Sequence, residues 1–525
     1  MGTLAESPSQ KRFWIAFFIF GILAGLALRG YLASFARMPG HGDSAFYFTV
    51  AKNIAEGRGP VVDYIVYFFS GLLPLPHYAG DFWNPTASYL IAIPMLLFGR
   101  NISAALVAPI VAGIVPAVAG FLAGRQYGGS YAAGALTGIL TFFSAFQVWF
   151  STTTEAIIFA GAFGSLAVYF MMRATSSARY FALAAVFTGL ANLIRQDNVL
   201  LLFALEACIL FAPLVRRTKF LLAIGALAIH LAVLSPLFAM NYGYMHTLFP
   251  SGPGKTAFLT TYEDFHAYNK EIDWITLRAT WGIAGIIKRR LHTAMENLGQ
   301  VQYFLTPLLA LLLIGALVGE AATRSGRSRL WLLLPVALFA VLEYLFYTIV
   351  ASFSGPGSLI KSLGSLMPFI CMTIVGFLAT HIKNRALLAT AVCLIAAYSA
   401  YQGFQRNLSS TLHYNQAYAD YEQVRSIILH DAASRGLPEG SVIVLARDTW
   451  DVYEGTGFKT VMVPNNDVGT IVDVARHYDA RYILLPALRP QLDKIYTNVT
   501  PDPRFVYIAS VPGSQIKIYW LAYGN

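Results

Sequence analysis

The strongest constraint on this chain is a series of apolar runs long enough, or nearly so, to cross a bilayer. About 30 Å of hydrocarbon takes roughly 20 residues of helix, with a range of about 17 to 25. Such runs fall near 13–35, 102–124, 131–151, 155–172, 179–194, 197–215, 219–242, 301–322, 329–350, 365–382 and 385–404. With 56% of 525 residues hydrophobic and only 12% charged, a soluble globular protein is excluded, since soluble domains carry about 25% charged residues. The sequence predicts a mainly α, polytopic membrane bundle of about 11 transmembrane helices over residues 1–404. The first run follows Lys11 and Arg12 and lacks a small-x-small cleavage site, so it reads as a retained anchor rather than a signal peptide.

One further apolar stretch, 86–99, has 14 residues with Pro94 inside, the length of an interfacial or re-entrant helix. Parity tests that choice. If it does not cross and the N-terminus is cytoplasmic, Arg125, Arg173, Arg179, Arg216, Arg217, Lys219, Arg324, Arg327, Arg329, Lys383 and Arg385 all fall in cytoplasmic turns, as the positive-inside rule asks. Loops 36–101 and 243–300 and the tail 405–525 then lie outside the cell's inner membrane. The basic excess of +10 is topological. It is scattered in small groups, without the clustered face that nucleic acid requires, and membrane lipid is the expected surrounding.

The tail carries as many acidic as basic residues, to within one, and reads as a small α/β extracytoplasmic domain. A helical stretch at 417–434 precedes β-rich runs at 441–446, 459–463 and 481–485, with a helix pattern between the last two. Pro512-Gly513 turns a hairpin. Cys208, Cys371 and Cys393 sit inside apolar runs, so neither a disulfide framework nor a cysteine metal site follows.

Ionisable residues gather at the predicted outer ends. From Asp43, the residues Phe46, Tyr47, Val50, Ala51 and Ile54 recur at helical spacing, giving a helix along the membrane surface; Asp43 reads either as its N-cap or as an acid at the mouth of the bundle. Glu155 follows three threonines, and Thr152-x-x-Glu155 before an apolar run is a capping box. The other reading puts Asp43 and Glu155 in one site. Arg195, Gln196, Asp197 and Asn198 form a polar knot between two runs, either a tight turn with Arg195 paired to Asp197 or a phosphate contact. Lys255 and Lys361 are outer lysines, against the positive-inside tendency, and an anionic headgroup or phosphate would account for them. A nucleotide P-loop ending at Lys255 would need glycine at 249, where Phe249 stands. His41-x-Asp43 and His77-x-x-x-Asp81 are the only hints of metal spacing, so no metal is assigned and a divalent cation stays open.

The order of these motifs resembles the GT-C class of membrane glycosyltransferases, and within it the protein O-mannosyltransferase and aminoarabinose-transferase-like superfamily. Asp43-Ser-x-x-Tyr47 with Asn53 and Gly57-x-Gly59-Pro60 resembles the first-loop acidic motif. Asn84-Pro85 to Tyr89 is similar to the juxtamembrane helix, and Thr153-Thr-Glu155 to the second acidic position. Gly189 to Asp197 resembles the G-L-x-x-L-x-R stretch, Tyr242-Gly243 to Lys255 the Y-G-x-x-x-P…K loop, and Lys361 stands where the family usually has Arg. The resemblance implies a sugar donor on a polyprenyl phosphate and transfer on the extracytoplasmic face, with inversion, to a lipid, glycan or protein acceptor. It makes Asp43 the general base, assigns Glu155 to orient the acceptor, hold the base or bind a cation, and gives the lipid phosphate to Arg195, Lys255 and Lys361. Tyr47, His77 and Asp81 are further candidates to touch sugar or acceptor.

Three other functions compete. A transporter or flippase of a lipid-linked glycan precursor would depend on the mid-span ionisable residues Glu206, His230 or Glu343. A polysaccharide polymerase or ligase would share the donor chemistry with a longer glycan. A hydrolase would set two carboxylates at about 5 Å or ~6.5 to 9.5 Å.

Overall fold

The computed structural model describes residues 6–174, 177–322, 331–353 and 357–523. The predicted basic turn at Arg324, Arg327 and Arg329 lies outside them. The protein is an integral membrane protein. Among the described residues, seven helices are long and apolar enough to span, and the bent pair Trp274–Phe304 and Pro307–Ala322 would make an eighth.

Within the described residues every predicted run is helical, but three are broken or stand at or below the lower limit of a span. The run at 131–151 breaks into Tyr131–Phe142 and Ala145–Phe150 because the Ser144 hydroxyl caps the second piece, accepting from the Gln147 amide. The others form Ala178–Ile194 and Val199–Phe211; the latter stops before Pro213, whose ring disfavours helical geometry at Ala212. Hydropathy reads composition and does not register such stops. The first span is bound to this broken region by Arg29, fully buried, whose guanidinium donates to Ser151 Oγ at 2.6 Å and the Phe142 carbonyl at 2.6 Å.

The sequence places the helix Gly42–Ala55 along the membrane surface. It is buried on nearly all sides, packed between the short apolar helix Thr86–Phe98 and the tail helix Thr449–Thr456. The 243–300 stretch also departs from a plain loop: it contains the helix Trp274–Phe304, bent at Gly282, where φ is +59°.

A single 50-residue helix, Arg385–Ser434, runs from the bundle into the tail, about 75 Å at 1.5 Å per residue. The tail strands Ile443–Ala446, Lys459–Met462 and Tyr482–Leu485 form as predicted and pair in parallel, followed by an antiparallel hairpin of Phe505–Ser510 and Lys517–Leu521 turning at Gly513. The sheet has a sixth strand from elsewhere in the chain: Tyr64–Ile65 of the first loop pairs in parallel with Thr460 and Val461. Phe46, Tyr64 and Phe68 accordingly share one core with Val461 and Leu485, so loop and tail bury their apolar faces in each other.

Candidate active site

Where the loop–tail layer meets the bundle, a cavity of about 630 Å³ opens. Its first wall is built by three elements. The helix Gly42–Ala55 begins at the N-cap His41, whose Nδ1 accepts from the Asp43 amide, so Asp43 stands in the first turn rather than at the cap. Glu155 precedes the helix Ile157–Ala174. It forms no capping box: the Thr152 hydroxyl donates backward, to the carbonyls of Val148 and Trp149, and the Glu155 carboxylate is free to turn inward. The third element is the short helix Ser358–Ser362. From it the Lys361 ammonium reaches both acids, 2.7 Å from Asp43 Oδ2 and 2.7 Å from Glu155 Oε2. His41 Nδ1 lies 4.0 Å from Asp43 and 3.9 Å from Glu155. Burial pushes the Asp43 carboxyl upward, but the charges of Lys361, His41 and Arg195 outweigh it and hold the group below the usual carboxylate range.

Ser362, the next residue along, serves a second cluster. Asp197 pairs with Arg195 through Nε at 3.2 Å and Nη2 at 2.6 Å, and Tyr347 Oη and Ser362 Oγ both donate to the same carboxylate. Tyr347 sits on a turn of π-helix, Phe346–Val350, a local widening that re-aims side chains and is frequent at functional sites. Lys361 and Ser362 thus join the two acidic clusters through neighbouring residues.

The third cation is Arg289, which sequence reasoning missed. On the helix Trp274–Phe304 the residues Arg289, Thr293, Glu296 and Asn297 line the cavity at helical spacing, while Ile287, Leu291 and Met295 are exposed on the other side. Arg289 lies over the Phe353 ring at 4.8 Å and 3.5 Å from Glu296, and its buried Nε has no hydrogen-bond partner among the described residues. The signal was available: Lys288-Arg289-Arg290 fall in the predicted outer loop 243–300 and are basic residues of the kind that singled out Lys255 and Lys361.

The cavity brings together Asp43, Tyr47, Glu155, Arg195 and Lys361. Lys255 is not among the residues that line it; its ammonium donates to the Phe69 carbonyl at 2.7 Å and ties down the first loop. His77 and Asp81, 3.9 Å apart, occupy a separate small cleft behind Tyr67, Phe82 and Trp83, side chains that line both spaces. Among the described residues no group of three or more His, Cys, Asp or Glu side chains is arranged to hold a metal ion.

Residues 83–239 match the family described as dolichyl-phosphate-mannose-protein mannosyltransferase. No curated protein matches the chain in sequence. Among solved structures, ArnT from Cupriavidus metallidurans bound to undecaprenyl phosphate is similar at 12% identity with a TM-score of 0.56, over 97% of this chain and 98% of that one. The archaeal oligosaccharyltransferase AglB from Archaeoglobus fulgidus, in complex with an inhibitory peptide and a dolichol-phosphate, is similar at 11% identity with a TM-score of 0.53, over 91% of this chain and 70% of that one. The GT-C fold implied by the order of the sequence motifs is the fold of this chain.

Proposed function

We propose that the protein is a membrane glycosyltransferase that moves a sugar from a polyprenyl-phosphate carrier to an acceptor hydroxyl on the extracytoplasmic face, with inversion at the anomeric carbon. One observation carries this reading: two carboxylates from different parts of the chain, Asp43 on a helix and Glu155 just before one, face a cavity of about 630 Å³ whose lining also holds Arg195 and Arg289. An acid-bearing wall beside cations suits a reaction in which a proton is taken from one partner and an anion departs with the other.

Asp43 is the base. As the acceptor oxygen attacks the anomeric carbon, its proton passes to the Asp43 carboxylate, and the bond from that carbon to the phosphate oxygen breaks. A carboxylate held below its usual range is a modest base, but the hydroxyl becomes strongly acidic once its oxygen bonds to carbon, so late transfer suffices. The lipid phosphate leaves as a stable anion and needs no general acid; fixed cations neutralise its growing charge. Arg195 spends Nε and Nη2 on Asp197, which leaves donors of its five-proton fork for phosphate. Arg289 brings an Nε without a partner among the described residues. Glu155 orients the acceptor, and Tyr47 lies on the same wall.

The carrier lipid is supported by the similar folds solved with undecaprenyl phosphate and dolichol-phosphate. The side of the membrane rests on the basic turns with all eleven predicted runs crossing, the three short or broken ones included; that count puts the cavity end and the tail outside, in a cell inner membrane with a cytoplasmic N-terminus. The transporter reading is weakened at His230 only; Glu343 is fully buried and neither of its carboxylate oxygens has a hydrogen-bond partner among the described residues. His230 is satisfied by Thr188 and Asn192 at 3.0 and 3.2 Å, as a packed core histidine is.

The test is transfer from synthetic polyprenyl-phosphate sugars in nanodiscs, comparing wild type with Asp43→Asn. The expected loss is roughly 10²- to 10⁴-fold, with inverted product from the wild type. Full activity in the variant would remove Asp43 as the base, and no transfer from any such donor would return the protein to the transporter class.

A further inference from the structure

Two carboxylates that share a site cannot both stay ionised without positive charge between them. Proteins commonly meet this need with a divalent cation held by carboxylate oxygens. Here the space is filled from within the chain. Lys361 Nζ stands 2.7 Å from Asp43 Oδ2 and 2.7 Å from Glu155 Oε2, close enough that an ion placed between the two oxygens would overlap the ammonium. The lysine has little freedom to withdraw. Leu359, Ile360 and Ser362 beside it are buried, and Ser362 is bound to Asp197.

We propose that Lys361 is a built-in substitute for a divalent cation, bridging Asp43 and Glu155 with no metal between them, and that removing its amino group converts the pair into a divalent-cation site. The proposal deepens the transferase reading and takes from it the role of Asp43. A single ammonium balances two carboxylates only in part, so whenever the nearby His41 is neutral the wall keeps a net negative charge facing the anomeric carbon, where positive charge develops. The leaving phosphate is consequently left to Arg195 and Arg289. An ammonium has three donors, and two are spent here; the third is available to a substrate oxygen. Lys361 is on this view a positioning residue for the base.

The experiment uses the full chain in nanodiscs with Mn²⁺ as the probe, read by electron paramagnetic resonance and calorimetry, for wild type, Lys361→Ala, Lys361→Met and each lysine variant combined with Glu155→Gln. The wild type is expected to hold no Mn²⁺ at this pair and to keep its transfer rate within twofold in EDTA. Lys361→Ala is expected to bind one Mn²⁺ per chain at least tenfold more tightly than wild type, and to lose that binding when Glu155→Gln is added. Lys361→Met, closer in volume, gives the same comparison should the alanine variant unfold. Lysine variants that bind Mn²⁺ no more tightly than wild type overturn the proposal, as does a wild-type Mn²⁺ site abolished by Glu155→Gln. The two readings fail separately. A chain with the expected Mn²⁺ pattern but no transfer from any polyprenyl-phosphate sugar loses the transferase function and keeps the lysine bridge. Transfer by the wild type that EDTA abolishes does the reverse.

Discussion

Trp450 of the tail lies so close to Gly42 at the start of the Asp43 helix that a Cβ at residue 42 would stand 2.0 Å from the indole Cε2. The same indole meets Trp83, a cavity-lining residue, at a ring-centroid distance of 5.8 Å. Thr49 and Glu454 add a hydrogen bond of 2.5 Å between the same two helices. The tail is therefore seated directly behind the proposed base, and its position and that of Asp43 are set together.

Gly42→Ala should expose that dependence. The added methyl must displace Trp450, and overpacking of this kind costs about 1–3 kcal/mol, read as a lower unfolding temperature together with reduced transfer. Gly30→Ala, at a helical position with nothing within 4 Å of the new methyl among the described residues, should leave transfer unchanged and raise the unfolding temperature slightly, since Ala is favoured over Gly in a helix by about 0.5–1 kcal/mol. Adding Trp450→Ala to Gly42→Ala should cost less than the sum of the single changes, because the second removes what the first collides with. Additive losses would show that the clash is relieved some other way.

Lys361→Met should change how activity depends on pH. Asp43 is held below its usual range against a burial effect that pushes it up. Removing the nearest cation leaves burial dominant, so the carboxyl should take up its proton at higher pH. Since the reaction needs the ionised form, the acid limb of the kcat/KM profile should move upward, and the deficit against wild type should be larger at pH 5 than at pH 8. An equal deficit across that range would mean that the lysine does not govern the charge of Asp43.

Much of this site was legible in the chain, and the remainder was hidden for identifiable reasons. The order Asp43, Glu155, Arg195, Lys361 placed acids and bases at one end of the bundle, and the structure brings those four to one cavity. Pairing was not legible. The spacing that suggested a capping box at Thr152 and Glu155 has a backward-bonded hydroxyl, and whether a threonine bonds forward or backward is decided by where the helix stops. Lys255 and Lys361 looked alike as outer lysines; one meets a backbone carbonyl and the other two carboxylates, a difference made by chain segments more than 180 residues away. The strand Tyr64–Ile65 is two residues long, too short to leave a period in the sequence, yet it attaches the first loop to the tail sheet.

Arg195 and Arg289 should separate stability from donor affinity. Arg195→Met leaves Asp197 buried without its ion-pair partner, and losing one member of such a pair costs about 3–5 kcal/mol, here softened by Tyr347 and Ser362. Arg289→Met removes a guanidinium whose Nε has no partner among the described residues and whose contact with Glu296 is long at 3.5 Å. The expectation is a marked loss of unfolding temperature for the first variant and a small one for the second, while both raise the KM for a polyprenyl-phosphate sugar at least tenfold. Unchanged KM in Arg289→Met would remove it from the phosphate contacts.

His77 and Asp81 make the last prediction, on stability. Burial pushes the Asp81 carboxyl from 3.8 up to about 7, against a smaller pull from backbone amides, and burial lowers His77 from 6.5 to about 4. The signs oppose. Between about pH 4 and 7 the folded protein keeps an Asp81 proton that the unfolded chain has lost, so this contribution is complete below pH 4 and is lost as pH rises through 7. Between about pH 4 and 6.5 the unfolded chain holds a His77 proton that the folded protein refuses, so this contribution grows with pH. Each slope has a limit of about 1.4 kcal/mol per pH unit, and over their shared window they nearly cancel. Unfolding measured from pH 4 to 8 should be close to flat for this pair in the wild type. Asp81→Asn removes the falling slope, so the variant should gain stability steadily from pH 4 to 6.5 and exceed the wild type at pH 8. His77→Gln removes the rising slope and should lose stability over the same range. Parallel profiles for both variants and the wild type would mean that neither group titrates differently in the folded protein, and that the cleft behind Trp83 is open to water.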